Sequence, residues 1–566
     1  MDRRRFLTVS VGTAGALVLG ACGGDDDDEA SDDSTSSGSS EAPDDGGLEP
    51  APRPSLTLPG GDTGFPSPFA YMRGPGYIMS SFIYDTLVWK DSTGELLPWL
   101  AESWEESDDA LTYTFTLRPD ILWHDGEPFT AEDVAFTYDY FFSQTISPQV
   151  IIQPLPEIEE VVAVDDLTVE FRLATTLAPF FEFGGVGSVP IVPQHIWSSI
   201  DEAAAESDVA ALVGTGPYIL ESYTRGEGAY LYTANDDYFL GTPFVERLEY
   251  VPVGDSLAGL VSGEVDLASA SGVVPSVLAP FRDNPELEVL EGPPGNSGTG
   301  LFWNLARGGA LADVDFRHAC ALAIDREDLV ERLHGGNADP GNPGWIPEAN
   351  PFHAEVEQYP FDLDEANRLL DDAGYTREGD GVRQGPDGPL SFELLTTSPP
   401  PPVLDLVVGA LAEIGVELSP TALDTPSFNQ RVIAGESEMS IIGFGGMNTD
   451  HGPDYLLQVY SSRTRTTQHA QGYVNEEVDE LCARQQTEID QDQRKETCAR
   501  IQELIAEDLP LLPLVYPRSF SIVRPDAFDQ WYFTEGGVAS TVPTVENKQV
   551  FITGQKTGIE IRPIED

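Results

Sequence analysis

Cys482 and Cys498 are the residues whose placement most directly suggests covalent chemistry, since both fall on predicted helices joined by the polar turn around Asp490 and Asp492. An antiparallel helix pair there could bring the two thiols together as a disulfide, which an oxidising exterior permits. Cys320, within Phe316-Arg317-His318-Ala319-Cys320-Ala321-Leu322, reads instead as a buried thiol on a helix face. No two cysteines have metal-ligand spacing, and the seven histidines form no cluster. Hydrolytic signatures are missing too: there is no Gly-x-Ser-x-Gly and no His-Glu-x-x-His. Gly292-Pro293-Pro294-Gly295-Asn296-Ser297-Gly298-Thr299-Gly300 lacks the Lys and the following helix of a phosphate-binding loop, so it reads as a connection between larger units. The pattern calls for no catalytic residue, no resident metal and no cofactor.

The elements that must position any site are legible at several points. Apolar residues alternate with threonines in Leu111-Thr112-Tyr113-Thr114-Phe115-Thr116-Leu117, and Leu167 to Leu173 alternates in the same way; both predict half-buried strands. Between them Thr130 and Asp133 form a capping pair that opens a helix from Ala131 through Tyr138. Further on, Asp325 with Asp328 opens a helix over 326–333, and Asp364 opens another that Gly374 ends. Ser391 to Thr396 reads as a strand, 403–414 as a helix stopped by Gly415, and Val416-Glu417-Leu418 as extended chain, a strand-helix-strand crossover of the kind that builds a helix-covered sheet. Trp123-His124-Asp125-Gly126 reads as a turn closing a hairpin, with His124 structural.

The chain has 566 residues, enough for more than one lobe, and its formal charge is −66. From residue 53 onward 84 acids still face 27 bases, so the acidity belongs to the folded part. Nucleic acid is excluded as a partner, because phosphate binding needs clustered Lys and Arg and only Lys90, Lys495, Lys548 and Lys556 occur among the lysines.

The first residues run Arg3-Arg4-Arg5-Phe6-Leu7, an apolar stretch from Val9 to Leu19, then Gly20-Ala21-Cys22. Basic, apolar and small-residue zones in that order form an export signal, the apolar part being too short to span a bilayer permanently. The arrangement resembles a twin-arginine leader ending in a bacterial lipobox, which implies cleavage before Cys22, acylation of that residue, and a protein moored on the outer face of the cytoplasmic membrane. Residues 23–55 are acidic and rich in Ser, Gly and Asp, a composition that predicts an extended tether.

Several blocks resemble the extracellular solute-binding proteins of family 5, the peptide and nickel type of ABC-transporter receptor. They are Tyr84-Asp85-Thr86-Leu87; Leu97-Pro98-Trp99-Leu100-Ala101-Glu102-Ser103-Trp104; Arg118-Pro119-Asp120-Ile121-Leu122-Trp123-His124-Asp125-Gly126; Gly214-Thr215-Gly216-Pro217-Tyr218; Asn304 with Arg317 to Asp325; Phe361 to Tyr375; and Glu507-Asp508-Leu509-Pro510-Leu511-Leu512-Pro513-Leu514. The resemblance implies an α/β, two-lobed, type II periplasmic-binding-protein-like fold. Lobe I would span 56–300, with an inserted subdomain over about 84–213, lobe II would span 301–530, and 531–566 would return to lobe I. The chain would cross between lobes near Leu301-Phe302-Trp303-Asn304 and near Pro525 to Thr534. The implied function is capture of a solute, a peptide first, by hinge closure and delivery to a membrane permease driven by cytoplasmic ATPase subunits, with the receptor a monomer.

For the pocket, the resemblance points to Phe444, to Asp450 as the acid for a peptide α-amino group, and to Tyr455 after Pro453-Asp454. A turn-capping Asp450 is the competing reading. Phe65, Tyr71 and Tyr77 lie in a Gly/Pro-rich stretch that loops toward the cleft in the family, and Trp345 lies in Pro340-Gly341-Asn342-Pro343-Gly344-Trp345; surface packing competes for each. Rival functions are a binder of nickel or another metal complex, with His451 or His469 as ligands, an oligosaccharide binder on the same fold, and an exported lipid-anchored hydrolase.

Overall fold

A computed structural model describes residues 55–62, 64–69, 79–90, 96–144, 155–181, 185–243, 245–292, 297–445, 452–464 and 469–524. Among the described residues lobe I holds three sheets of three or more strands and one two-stranded ladder, Val88–Lys90 with Leu96–Pro98. In the first, β1 (Leu56–Gly60) pairs in parallel with β8 (Arg247–Pro252), which continues antiparallel through β7 (Ala229–Ala234) to β6 (Tyr218–Thr224). The second is wholly antiparallel, with β2 (Ala101–Glu106), β3 (Thr112–Leu117), β5 (Thr168–Leu173) and β4 (Ile158–Asp165) side by side in that order. Its strand β3 alternates between buried and half-buried residues, so the alternating threonines carry the outer face as the sequence predicts. Helix α1 (Ala131–Ser143) packs on this sheet, and its first turn has the expected capping box: the Asp133 carboxylate accepts from the Thr130 amide at 3.0 Å.

Two polar residues, Asp85 buried and His124 half-buried, tie segments of lobe I together. The fully buried Asp85 carboxylate accepts from Trp99 Nε1 at 2.9 Å, Thr215 Oγ1 at 3.0 Å and the Tyr238 hydroxyl at 3.3 Å. His124 is structural: its Nε2 lies 2.9 Å from the Gly216 carbonyl, and its Nδ1 accepts from the Gly214 amide at 3.2 Å. The separate sequence blocks around residues 84, 99, 124 and 214 therefore converge on one polar knot.

Lobe II is built on a six-stranded mixed sheet in the order β12 (Ala338–Pro340), β16 (Leu511–Pro517), β11 (Ser297–Trp303), β15 (Met439–Gly445), β13 (Ser391–Thr397), β14 (Glu417–Leu423). β13 and β14 pair in parallel from Ser391↔Glu417 to Thr397↔Leu423, with α4 (Leu404–Glu413) as the crossover helix. Helices α2 (Val314–Ala323), α3 (Leu363–Asp372), α5 (Gly452–Tyr460), α6 (Glu476–Gln485) and α7 (Gln491–Asp508) cover it. The cap of α3 is Asp362, whose side chain accepts from the Glu365 amide, and Asp364 sits inside the first turn; an Asx cap bonds two or three residues ahead, and only Asp362 precedes the helical backbone. The segment after Asp325 splits into a short α-helix over Arg326–Leu329 and a wider π-turn over Val330–His334 that ends at left-handed Gly335.

Two further strands connect to the six-stranded sheet at the same end, since the start of β11 and the end of β16 are antiparallel neighbours there. β10 (Glu288–Glu291) leads into β11, and β17 (Ser519–Val523) follows β16 directly; β17 lies between β9 (Leu267–Ser271) and β10, antiparallel to both. The chain changes sheet at Arg518, between β16 and β17, and the crossing expected near 525–534 lies outside the described residues. Pro517 ends β16, and its successor turns into a different sheet with no glycine or polar run to announce it. The Gly-rich stretch is likewise only partly a connection, because Ser297 to Gly300 already belong to β11.

Candidate functional site

Gly298 and Gly300 on β11 leave room for a ring that a larger residue would exclude. A Cβ on Gly298 would stand 2.2 Å from the Phe444 ring. Phe444, on the neighbouring strand β15, therefore lies across β11 and stacks on Trp345 at 4.2 Å between ring centroids. Phe302 meets Trp345 edge-on at 6.4 Å, and Tyr460 at the end of α5 does so at 5.9 Å. The Tyr516 hydroxyl donates to the Trp345 carbonyl at 2.6 Å and accepts from the Asn342 amide at 3.3 Å.

Trp345 itself has φ of +74°, a left-handed backbone that a bulky residue rarely adopts. Strain of that kind persists only where the surroundings over-determine it, and here the Tyr516 bond and three aromatic neighbours do so. The Trp345 Nε1–H and the Tyr460 hydroxyl are buried with no hydrogen-bond partner among the described residues. Phe302, Trp345, Phe444, Tyr460 and Tyr516 all lie in one buried core cluster, so this aromatic wall is internal to lobe II.

Behind this wall, Asp454 in the first turn of α5 is held by a polar cluster. Its Oδ1 accepts from Gln486 Nε2 at 2.9 Å and from the fully buried Arg494 at 3.4 Å. Arg494 also donates from Nε to Gln485 Oε1 at 3.0 Å and lies 5.5 Å over the Phe352 ring. Nearby, burial pushes the Asp479 carboxyl up, but hydrogen bonds from Ser462 and Ser461 outweigh it and hold the group below the usual carboxylate range.

Of the residues expected at a pocket, Phe444 and Trp345 come together as one buried stack; Trp345 is wholly buried where a surface platform was expected. Phe65 is buried in lobe I, 6.2 Å from Tyr223, and Tyr455 is half-buried on α5. Asp450, Tyr71, Tyr77, His451 and Cys22 lie outside the described residues. Cys482 and Cys498 are both buried, on the successive helices α6 and α7, and the structure joins neither in a disulfide; burial raises the Cys482 pKa to about 12. Cys320 is fully buried as predicted. Phe302, Tyr460, Tyr516 and the Asp454–Arg494 pair were missed. The signal available for them was the Gly-x-Gly in β11, which marks a strand over which something large must lie. Among the described residues no group of three His, Cys, Asp or Glu could hold a metal ion, and no helix is long and apolar enough to cross a membrane.

The chain is similar to known proteins over most of its length. The family model for bacterial extracellular solute-binding proteins, family 5 Middle, matches residues 95–466. Heme-binding protein A of Haemophilus influenzae is 26% identical over 491 residues, covering 81% of this chain and 86% of the relative. Di/tripeptide-binding protein 2 of Pseudomonas aeruginosa is 26% identical over 494 residues, covering 81% and 88%. Among solved structures, the oligopeptide-binding protein AppA of Bacillus subtilis in complex with a nonapeptide superposes with a TM-score of 0.73 at 20% identity, over 91% of this chain and 100% of that one. NikA of Brucella suis in complex with Fe(III)-EDTA gives 0.74 at 22% identity, over 87% and 98%. With the two-lobed type II fold matched along nearly its whole length and the family model covering most of the sequence, the chain belongs to the bacterial extracellular solute-binding proteins, family 5.

Proposed function

We propose that this chain is the lipid-moored receptor of a peptide importer, closing its two lobes over a short peptide and presenting it to the permease. Membership of the family makes it a non-enzymatic, periplasmic or extracellular substrate-binding component of an ABC transporter. The anchor at Cys22, the monomeric state, the peptide and the hinge motion are the further steps. Peptide is favoured because relatives at 26% and 25% identity are a di/tripeptide binder and an oligopeptide binder. The observation that carries the reading is the family match over most of the chain together with these peptide-binding relatives.

In this reading the Asp450 carboxylate takes the ligand's α-ammonium, a charge-assisted bond strengthened as water leaves the cleft. The closed state gains population only in proportion to contacts made by both lobes. Native mass spectrometry of the freshly purified protein tests the class of cargo. A co-purifying peptide that Asp450→Ala no longer retains is the expected result; a tetrapyrrole, a metal chelate or a sugar would replace peptide as the ligand class.

A further inference from the structure

The lobes touch at a second place, remote in sequence from both crossings. Immediately after β5, the Thr176 hydroxyl donates to the Thr487 carbonyl at 3.0 Å, and the Ala178 amide donates to the Gln486 carbonyl at 2.8 Å. Residues 174–178 are fixed in lobe I, since Leu177 is buried in its core and the Ala174 amide donates to Glu157. Gln486 and Thr487 form the turn between α6 and α7 of lobe II. Both sides of the contact are half-buried, and both acceptors are main-chain carbonyls, so the turn's side chains act on the contact only by positioning its backbone.

The turn is not loose. Gln486 Nε2 donates to Asp454, Gln485 Nε2 donates to the Pro453 carbonyl at 3.1 Å, and Arg494 joins Gln485 to Asp454. Pro453 and Asp454 open α5, whose last residue, Tyr460, packs on Trp345. A rigid chain of polar contacts therefore runs from the aromatic wall of lobe II to the carbonyls that lobe I grips.

We propose that Thr176 and Ala178 of lobe I and the Gln486–Thr487 turn of lobe II form a clasp that holds the lobes shut, with Gln486 and Asp454 as positioning residues that aim the turn. The inference rests on the hinge-closing reading above and adds to it a device by which the state of the wall reaches the lobe boundary. Two neutral hydrogen bonds at a half-buried site are weak enough to be made and broken as the protein cycles.

Amide hydrogen exchange on the purified mature protein reads the clasp directly, because the Ala178 N–H is one of its two donors. Its exchange should be slowed at least about tenfold against its intrinsic rate. Thr176→Val and Gln486→Leu should each speed it by about fivefold, the loss expected for one hydrogen bond, while the amides of Phe115 and Ile505 in the two cores stay as protected as before. An Ala178 amide that is unprotected in the parent protein, or whose protection neither variant changes, overturns the clasp. Small-angle scattering on the same samples, with and without a tripeptide mixture, checks hinge closure separately: contraction alongside an unprotected Ala178 sinks the clasp and leaves the transport reading standing.

Discussion

Arg518 lies 3.2 Å from Asp339 where the chain changes sheet, while its other terminal nitrogen reaches Glu291 at 3.1 Å. Asp339 belongs to β12 and Glu291 to β10, so one guanidinium joins the six-stranded sheet to the three-stranded one. Its main chain does the same, accepting from Gly272 at 2.8 Å and donating to Asn337 at 3.0 Å. Because a third of the Arg518 side chain is exposed, Arg518→Ala should lower global stability by only about 1 kcal/mol or less. Its larger effect should be a wider spread of interlobe angles, seen as a broader distance distribution in small-angle scattering; an unchanged distribution would confine the hinge to the backbone.

Asp85 should be far more costly to lose. Asp85→Ala leaves three buried donors facing a void, and each unsatisfied group costs about 1–3 kcal/mol, so a loss of about 3 kcal/mol or more is expected in urea denaturation. Asp85→Asn, which keeps one acceptor oxygen, should fall between the variant and the parent.

Gly298→Ala tests the aromatic wall. The new methyl group meets the Phe444 ring at a distance no contact tolerates, so the Phe444–Trp345 stack must shift at a cost of about 1–3 kcal/mol. Near-ultraviolet circular dichroism should report the change. An intact spectrum would show that the Phe444 ring does not lie over Gly298.

Acid should weaken the α5–α6 junction only once the pH falls below the ordinary carboxylate range. The folded pKa of Asp479 is depressed below its unfolded value of about 3.9, so its stabilising effect is complete above that value and fades as the pH falls through the folded pKa. Asp479→Asn should therefore lower stability at neutral pH and flatten the fall in stability on the acid side, measured as denaturant midpoint against pH. A parallel fall in both proteins would show that Asp479 does not titrate on unfolding.

Cys22→Ser should release the protein from the membrane fraction into the soluble exported fraction without altering its fold. Continued sedimentation with membranes after a high-salt wash would locate the anchor elsewhere.

Much of the scaffold could be read from local pattern, because period-two alternation in β3 and β5 and the Thr130–Asp133 box are set by neighbours a few residues apart. The β13–α4–β14 crossover was legible for the same reason. What escaped depended on distant partners. Trp345 looks like a loop aromatic until Phe444 and Tyr516 arrive from other strands to bury it. The Arg518 crossing is hidden because β16 and β17 form one nearly continuous apolar run, and only the pairing of each strand tells which sheet it joins. The Asp362 cap was displaced by two residues because Asp362 and Asp364 offer the same side chain to the same helix start.

β17, the last described strand, fills the middle of its sheet rather than an edge. Any product that stops before Ser519 leaves β9 and β10 each with an open hydrogen-bonding side facing a slot where a strand belongs. Lobe I therefore completes itself only when nearly the whole polypeptide has been made, and severing the chain between the halves would yield fragments prone to stick to one another rather than two independent modules.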